Sequence, residues 1–291
     1  MTKLIRLRNR KMLFARYHDY MFSYFYFQNT VSRLLKKYRN PSFEDIKGYV
    51  VCFCYQRTKS FSSFLQLVQK NDYVSAHCIL RMLADNVSLF RLIYLEKNAD
   101  WRMLRHYLYV LDGGEKLKEL WLSGFDDEDE TEKAYSEEMA ELCQKEIEKL
   151  ESLINSLPLK EADNEAFNMI VNNRNWKFKD FCSARKNQYS WKEMHQMIDD
   201  KDANDFDFFS FYSQFAHGLS MSNAYYNVDS KSYSMAIDDA IFLMGRFDEY
   251  IKEFFADDME YILKGLEEPE VKERLRAHAD LESNVMMSLK E

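Results

Sequence analysis

Four residues of this 291-residue chain have the types and spacing to move a proton or hold a charged group: Arg81, Asp85, Ser213 and His217. Arg81 and Asp85 stand one helical turn apart, so a guanidinium and a carboxylate share a helix face. Ser213 and His217 repeat the spacing, which brings a hydroxyl within reach of an imidazole able to take its proton. Nucleophilic catalysis also needs an orienting group and an oxyanion site, and the sequence holds neither a nucleophile elbow nor a Gly-rich turn. Each pair therefore has a structural reading beside the chemical one: a buried Arg–Asp pair, because an isolated buried charge costs several kcal/mol, and a core histidine bonded to serine. No P-loop, dinucleotide fingerprint, H-E-x-x-H or zinc ribbon occurs. Cys52-Phe53-Cys54 has no second ligand pair nearby, and the acidic run Asp126–Glu130 lacks the glycine of a calcium loop. No cofactor and no metal are expected.

The elements that must position these residues read as helices. From Asp72 to Asn98 the chain is apolar on nearly every side. Tyr73, Ala76, Leu80, Leu83, Val87, Phe90 and Tyr94 form a seam at 3-4 spacing, widened by Ile79, Met82 and Ile93. Such a helix belongs in the middle of a bundle. One stripe of it is polar: His77, Arg81, Asp85 and Ser88 fall within about 80° at ~100° per residue. Val74, Leu92 and Leu95 lie among them, so the stripe is expected to be buried. A second core helix spans the aromatic stretch through Asn227, with small residues Ser210, Ser213, His217, Ser220 and Ala224 on one seam and Phe208, Phe211, Phe215 and Leu219 beside it. If the polar stripes of the two helices face each other, Arg81, Asp85 and His217 converge on one polar pocket.

With seven Gly and three Pro among abundant Leu, Met, Phe, Tyr, Glu and Lys, the fold class is all-α, a multi-helix bundle in one domain over 1–291 with the helix near 72–98 buried at its centre. The remaining helices are expected over Thr2–Tyr38, from a Ser42 cap to Gln69, from Trp101 to a break at Gly113-Gly114, over Glu132–Leu157, and over Ser234–Lys264. Residues 158–190 read as irregular, then Ser190 and Glu193 form a capping box that opens a short helix to Ile198. Residues 269–291 read as a charged, peripheral terminal helix. Five cysteines without a paired framework and the lack of a membrane-length apolar run suit a cytoplasmic protein.

The net charge of −8 conceals an asymmetry: residues 1–40 hold ten Lys/Arg and one acidic residue. This basic, aromatic-rich helix has three possible destinations: nucleic acid through Lys3, Arg6, Arg8, Arg10, Lys11 and Arg16; anionic lipid; or an acidic surface of its own body or of a second copy in a homo-oligomer. Its own body is favoured, because the aromatic run Tyr20–Phe27 is more apolar surface than a solvated helix exposes.

Arg81-Met-Leu-Ala-Asp85, then Ser190-Trp191 opening a short helix, then Phe211-Tyr212-Ser213-Gln-Phe-Ala-His217 together resemble a family of uncharacterised all-helical bacterial proteins. That family has an Arg-x-x-x-Glu/Asp core helix and a later Tyr-x-x-Ser-x-x-x-His helix, and the resemblance covers residues 70–225. Its layout is similar to HEPN-type domains, many of which are ribonucleases of defence and toxin systems using an Arg-x4-6-His motif. That motif is absent here: seven residues separate Arg10 from His18, and three separate Arg102 from His106. The function expected is a binding or interaction module with a polar pocket in its core; the alternatives are a HEPN-like ribonuclease and a bundle holding a small apolar ligand.

Overall fold

The computed structural model describes residues 3–39, 42–123, 130–184, 186–198, 208–218, 230–273 and 277. Its elements are all helical: α1 (Lys3–Lys37), α2 (Ile46–Gln69), α3 (Tyr73–Tyr94), α4 (Ala99–Ser123), α5 (Glu130–Asn155), α6 (Leu159–Ala162), α7 (Asn164–Asn172), α8 (Trp191–Gln196), α9 (Phe208–Ala216), α10 (Ser230–Phe254), and α11 (Met259–Leu266) after one turn of 3-10 helix. The protein is an all-α multi-helix bundle, with no strand among the described residues. It divides into two compact units, residues 1–91 with 195–291, and residues 92–194.

In the first unit α3 is the buried helix that its seam predicts. Ala76, Leu80, Leu83, Val87 and Phe90 are fully buried. Phe90 meets Phe247 of α10 edge-on at 5.2 Å, and both approach Phe53 of α2. α1 packs along α2, α10 and α11. Tyr20 and Phe27 of its aromatic run are sealed, Tyr20 donating to the Phe61 carbonyl at 2.6 Å and Phe27 touching Phe61 and Phe247. The run is therefore packed on the body. Of the basic residues proposed to touch nucleic acid, Arg16 is exposed and pairs with Asp19 and Asp238, while the side chains of Lys3, Arg6, Arg8, Arg10 and Lys11 lie outside the described residues.

Three boundaries differ from expectation. The Gly113-Gly114 break is absent, because α4 continues to Ser123 packed along α5, where a Cβ on Gly114 would meet Ile147 at an ordinary 3.7 Å. Ser42 does not cap α2, which begins after Asp45; the Ser42 hydroxyl accepts from Glu44 N–H instead. The helix expected over Ser234–Lys264 breaks between Phe254 and Met259. There the buried Asp258 carboxylate accepts from Lys37, Lys47 and the Tyr38 hydroxyl, drawing α1 and α2 onto the break. Three donors on one carboxylate offset the helical hydrogen bonds lost there. Of the expected terminal helix, residues 269–273 are helical, and 278–291 lie outside the described residues.

The second unit is built on the antiparallel α4–α5 hairpin, with Leu104, Leu108, Leu111, Ile147, Leu150 and Ile154 buried in it. The stretch expected to be irregular holds two short helices. Asp163 caps α7 by accepting from Ala166 N–H at 3.0 Å, and Phe167 and Ile170 carry its buried face.

Candidate functional site

Arg81 and Asp85 sit on α3 where its apolar wall opens. His77 and Ser88, the ends of the polar stripe, are sealed, but the side chains of Arg81 and Asp85 are 14% and 29% exposed. The stripe is thus buried only at its ends, and the pair between them is reachable from solvent. Arg81 Nη1 donates to Asp85 Oδ1, and Arg81 Nε donates to Ser213 Oγ of α9 at 2.8 Å. Nη2 makes no hydrogen bond among the described residues, and it is not one of the sealed nitrogens.

The imidazole that meets this pair is that of His195. Its Nε2 lies 2.7 Å from Asp85 Oδ1 and 3.0 Å from Arg81 Nη1. Carrying a proton, Nε2 donates to the carboxylate; without it, the same nitrogen accepts from the guanidinium. His195 is delivered by α8, and the expected capping box forms: Ser190 N–H and Oγ both donate to Glu193 Oε2, and Glu193 N–H donates back to Ser190 Oγ at 3.2 Å. Bonds from Lys179 and from Ser190 hold the Glu193 carboxyl down at about 2.

Of the four residues singled out in the sequence, three meet and one stands apart. α9 ends at Ala216, and Gly218 turns the chain in the left-handed region at φ 60°. His217 N–H closes the last turn on the Ser213 carbonyl at 3.1 Å, which leaves the residue exposed in the turn. The Ser213 hydroxyl faces Arg81 instead. Of the small-residue seam, Ser210 is exposed and Ser220 and Ala224 lie outside the described residues.

An aromatic box backs the site and holds α9 on α3. His77, one turn before Arg81, is surrounded by Tyr73, Phe211, Tyr212 and Phe215, with ring centroids 4.0 to 5.6 Å away. Its Nδ1 donates to the Tyr73 carbonyl at 2.9 Å, and burial depresses its pKa to about 4, so the ring is neutral at pH 7. Behind it Tyr212 donates to Asp239 of α10, whose carboxyl is raised to about 6 by burial against the opposing pull of that bond. Sequence spacing carried a signal for His195 too. At ~100° per residue Trp191, Met194, His195 and Ile198 span one arc. Met194 and Ile198 are sealed, which sets His195 at the edge of the buried face.

Among the described residues no group of three or more His, Cys, Asp or Glu is placed to hold a metal ion, and no helix is long and apolar enough to cross a membrane. No protein-family model, no curated protein and no solved structure matches this chain.

Proposed function

We propose that this protein is a binding module whose recognition site is Arg81, Asp85, His195 and Ser213. The observation that carries the reading is the meeting of side chains from α3, α8 and α9 at a point open to solvent. A guanidinium with an uncommitted Nη2, a carboxylate with solvent access and a histidine between them suit a ligand group that both accepts and donates hydrogen bonds. The test is a thermal-shift screen of small phosphates, carboxylates and amides against the full chain and its Arg81→Met and His195→Phe variants. A compound that raises the melting temperature of the wild type alone supports the reading. If every compound is silent, Arg81→Met costs ~3–5 kcal/mol and Arg81→Met with Asp85→Leu restores most of it, the cluster is a structural ion pair instead.

A second reading is favoured by the contact between His195 and Arg81. Metal-independent cleavage of RNA needs a base to take the 2′-hydroxyl proton and a cation to stabilise the developing phosphorane charge, and these two side chains lie 3.0 Å apart. The resemblance to HEPN-like ribonucleases leans the same way, although here the arginine and histidine are 114 residues apart rather than in one short motif. Cleavage of single-stranded RNA to cyclic-phosphate ends, lost in His195→Ala and in Arg81→Ala, distinguishes this reading from simple binding.

A further inference from the structure

The charge of the second unit changes sign along the chain. Residues 92–173 hold 20 acidic and nine basic residues, whereas residues 174–194 hold six basic and two acidic. The change of sign coincides with a cluster of rings. Tyr109 of α4 meets Trp176 edge-on at 5.5 Å, and Trp176 meets Trp191 edge-on at 6.1 Å. Trp176 is buried, but Trp191 is 37% exposed, although Met194 already anchors α8.

One ammonium serves both indoles. Lys177 Nζ lies 5.5 Å from the Trp176 centroid and 5.3 Å from that of Trp191, within cation–π range of each. It has no carboxylate partner among the described residues, and neither have the exposed Lys186 and Lys192. Neighbouring carboxylates are engaged elsewhere. Glu193 accepts from Lys179 and Ser190, Glu115 and Glu151 hold Arg174, and Asp112 holds Lys116. In this basic stretch Asp180 is the carboxylate left without a cation among the described residues. Asn175 Nδ2 donates to the Asn187 carbonyl at 2.8 Å and Tyr189 N–H to the Lys177 carbonyl at 2.8 Å. These bonds join the runs that carry Lys177, Lys186 and Trp191 into one surface.

We infer that this surface binds single-stranded nucleic acid, with a base stacked on the Trp191 indole and neighbouring phosphates on Lys177, Lys186 and Lys192. An exposed indole beside cations that no carboxylate neutralises asks for a partner that is both aromatic and anionic, and each nucleotide of a strand is both. A duplex keeps its bases stacked on one another and has none to offer the indole. An acidic peptide would meet the lysines and leave the ring unused. Stacking accepts any base, so the site discriminates strand from duplex rather than one sequence from another. Three lysines on an acidic body make it a weak, salt-sensitive site. The inference concerns the second unit alone and does not rest on the Arg81 cluster.

The test is fluorescence anisotropy of a labelled oligodeoxythymidylate titrated with the full chain at low salt, with circular dichroism to verify folding of each variant. This strand lacks the 2′-hydroxyl, so cleavage at the Arg81 cluster does not enter. The wild type should bind the strand in preference to a duplex. Trp191→Ala should weaken binding about 5- to 100-fold, and Trp191→Phe, which keeps a stacking face, should restore most of it. Lys177→Gln should lower the slope of log affinity against log salt by about 0.7. Thymidine monophosphate should compete poorly, since it offers one phosphate to three lysines. No binding at low salt overturns the inference, and so does competition by the mononucleotide, or by polyglutamate, as strong as by the strand itself. Binding that ignores Trp191→Ala and Lys177→Gln but vanishes when Lys3, Arg6, Arg8, Arg10 and Lys11 become Gln overturns it too, and assigns the strand to α1.

Discussion

Lowering the pH from 7 to 4 should loosen the wall that holds Ser213 against Arg81, and the group responsible is His77. In the native chain its ring is enclosed by four aromatic side chains and protonates only near 4, whereas in the unfolded chain it protonates near 6.5. Because the folded value is the lower one, His77 contributes full stability above 6.5, and that stability is lost progressively as pH falls toward 4. The difference of about 2.5 units corresponds to about 3 kcal/mol, at 1.36 kcal/mol per unit. Urea unfolding at half-unit pH intervals measures it, with His77→Phe as the reference that keeps the aromatic box but cannot titrate. The wild type should lose about 3 kcal/mol more than His77→Phe across this range. Parallel pH profiles for the two proteins would refute the reasoning and mean that water or a rearranged ring solvates the imidazolium in the folded state.

Asp239 should act in the opposite sense: its folded value near 6 is raised, so it costs stability as pH climbs from about 4 to 6. Asp239→Asn should therefore stabilise the protein by roughly 2 kcal/mol at pH 7 and by little below pH 4, as read from melting temperatures at the two pH values. At Asp258, burial raises the carboxyl, but bonds from Lys37, Lys47 and Tyr38 outweigh it and hold the group below its usual range. Asp258→Ala should cost roughly 2–4 kcal/mol at pH 7 in denaturant titrations by leaving two lysines facing each other, with the deficit shrinking in acid as the wild-type carboxylate protonates.

How far the sequence could be read depended on whether the deciding contact was local. The seam of α3, the Ser190 capping box and the burial of Tyr20 and Phe27 follow from spacing and side-chain type, and they are present. Gly113-Gly114 misled because propensity weighs about 1 kcal/mol per glycine, whereas packing along α5 decides a helix of that length. The break before α11 was invisible because its cause, two lysines and a tyrosine on Asp258, lies more than 200 residues upstream. For the site, Arg81 and Asp85 announced themselves by a polar interruption in an apolar helix. His195 gave a weaker signal, its arc with Met194 and Ile198 on a six-residue helix, which becomes specific only once those neighbours are known to be sealed. His217 had the better local spacing, but Gly218 ends the helix beside it.

The long reach between α1 and its partners bears on how the protein comes into being. Arg33 bonds the Tyr261 carbonyl and Glu268, and Tyr26 accepts from Lys252, pairs separated by 226 to 235 residues. At a synthesis rate of about 5–20 residues per second, α1 leaves the ribosome roughly 10–50 seconds before α10 and α11 exist to cover it. Through that interval the aromatic run from Tyr20 to Phe27 lacks the α10 side chains, such as Phe247 against Phe27, that help to cover it in the finished chain. The nascent chain should therefore expose apolar surface until its C-terminal helices are made, and its yield in a cell should depend on what shelters the first helix as well as on the stability of the finished bundle.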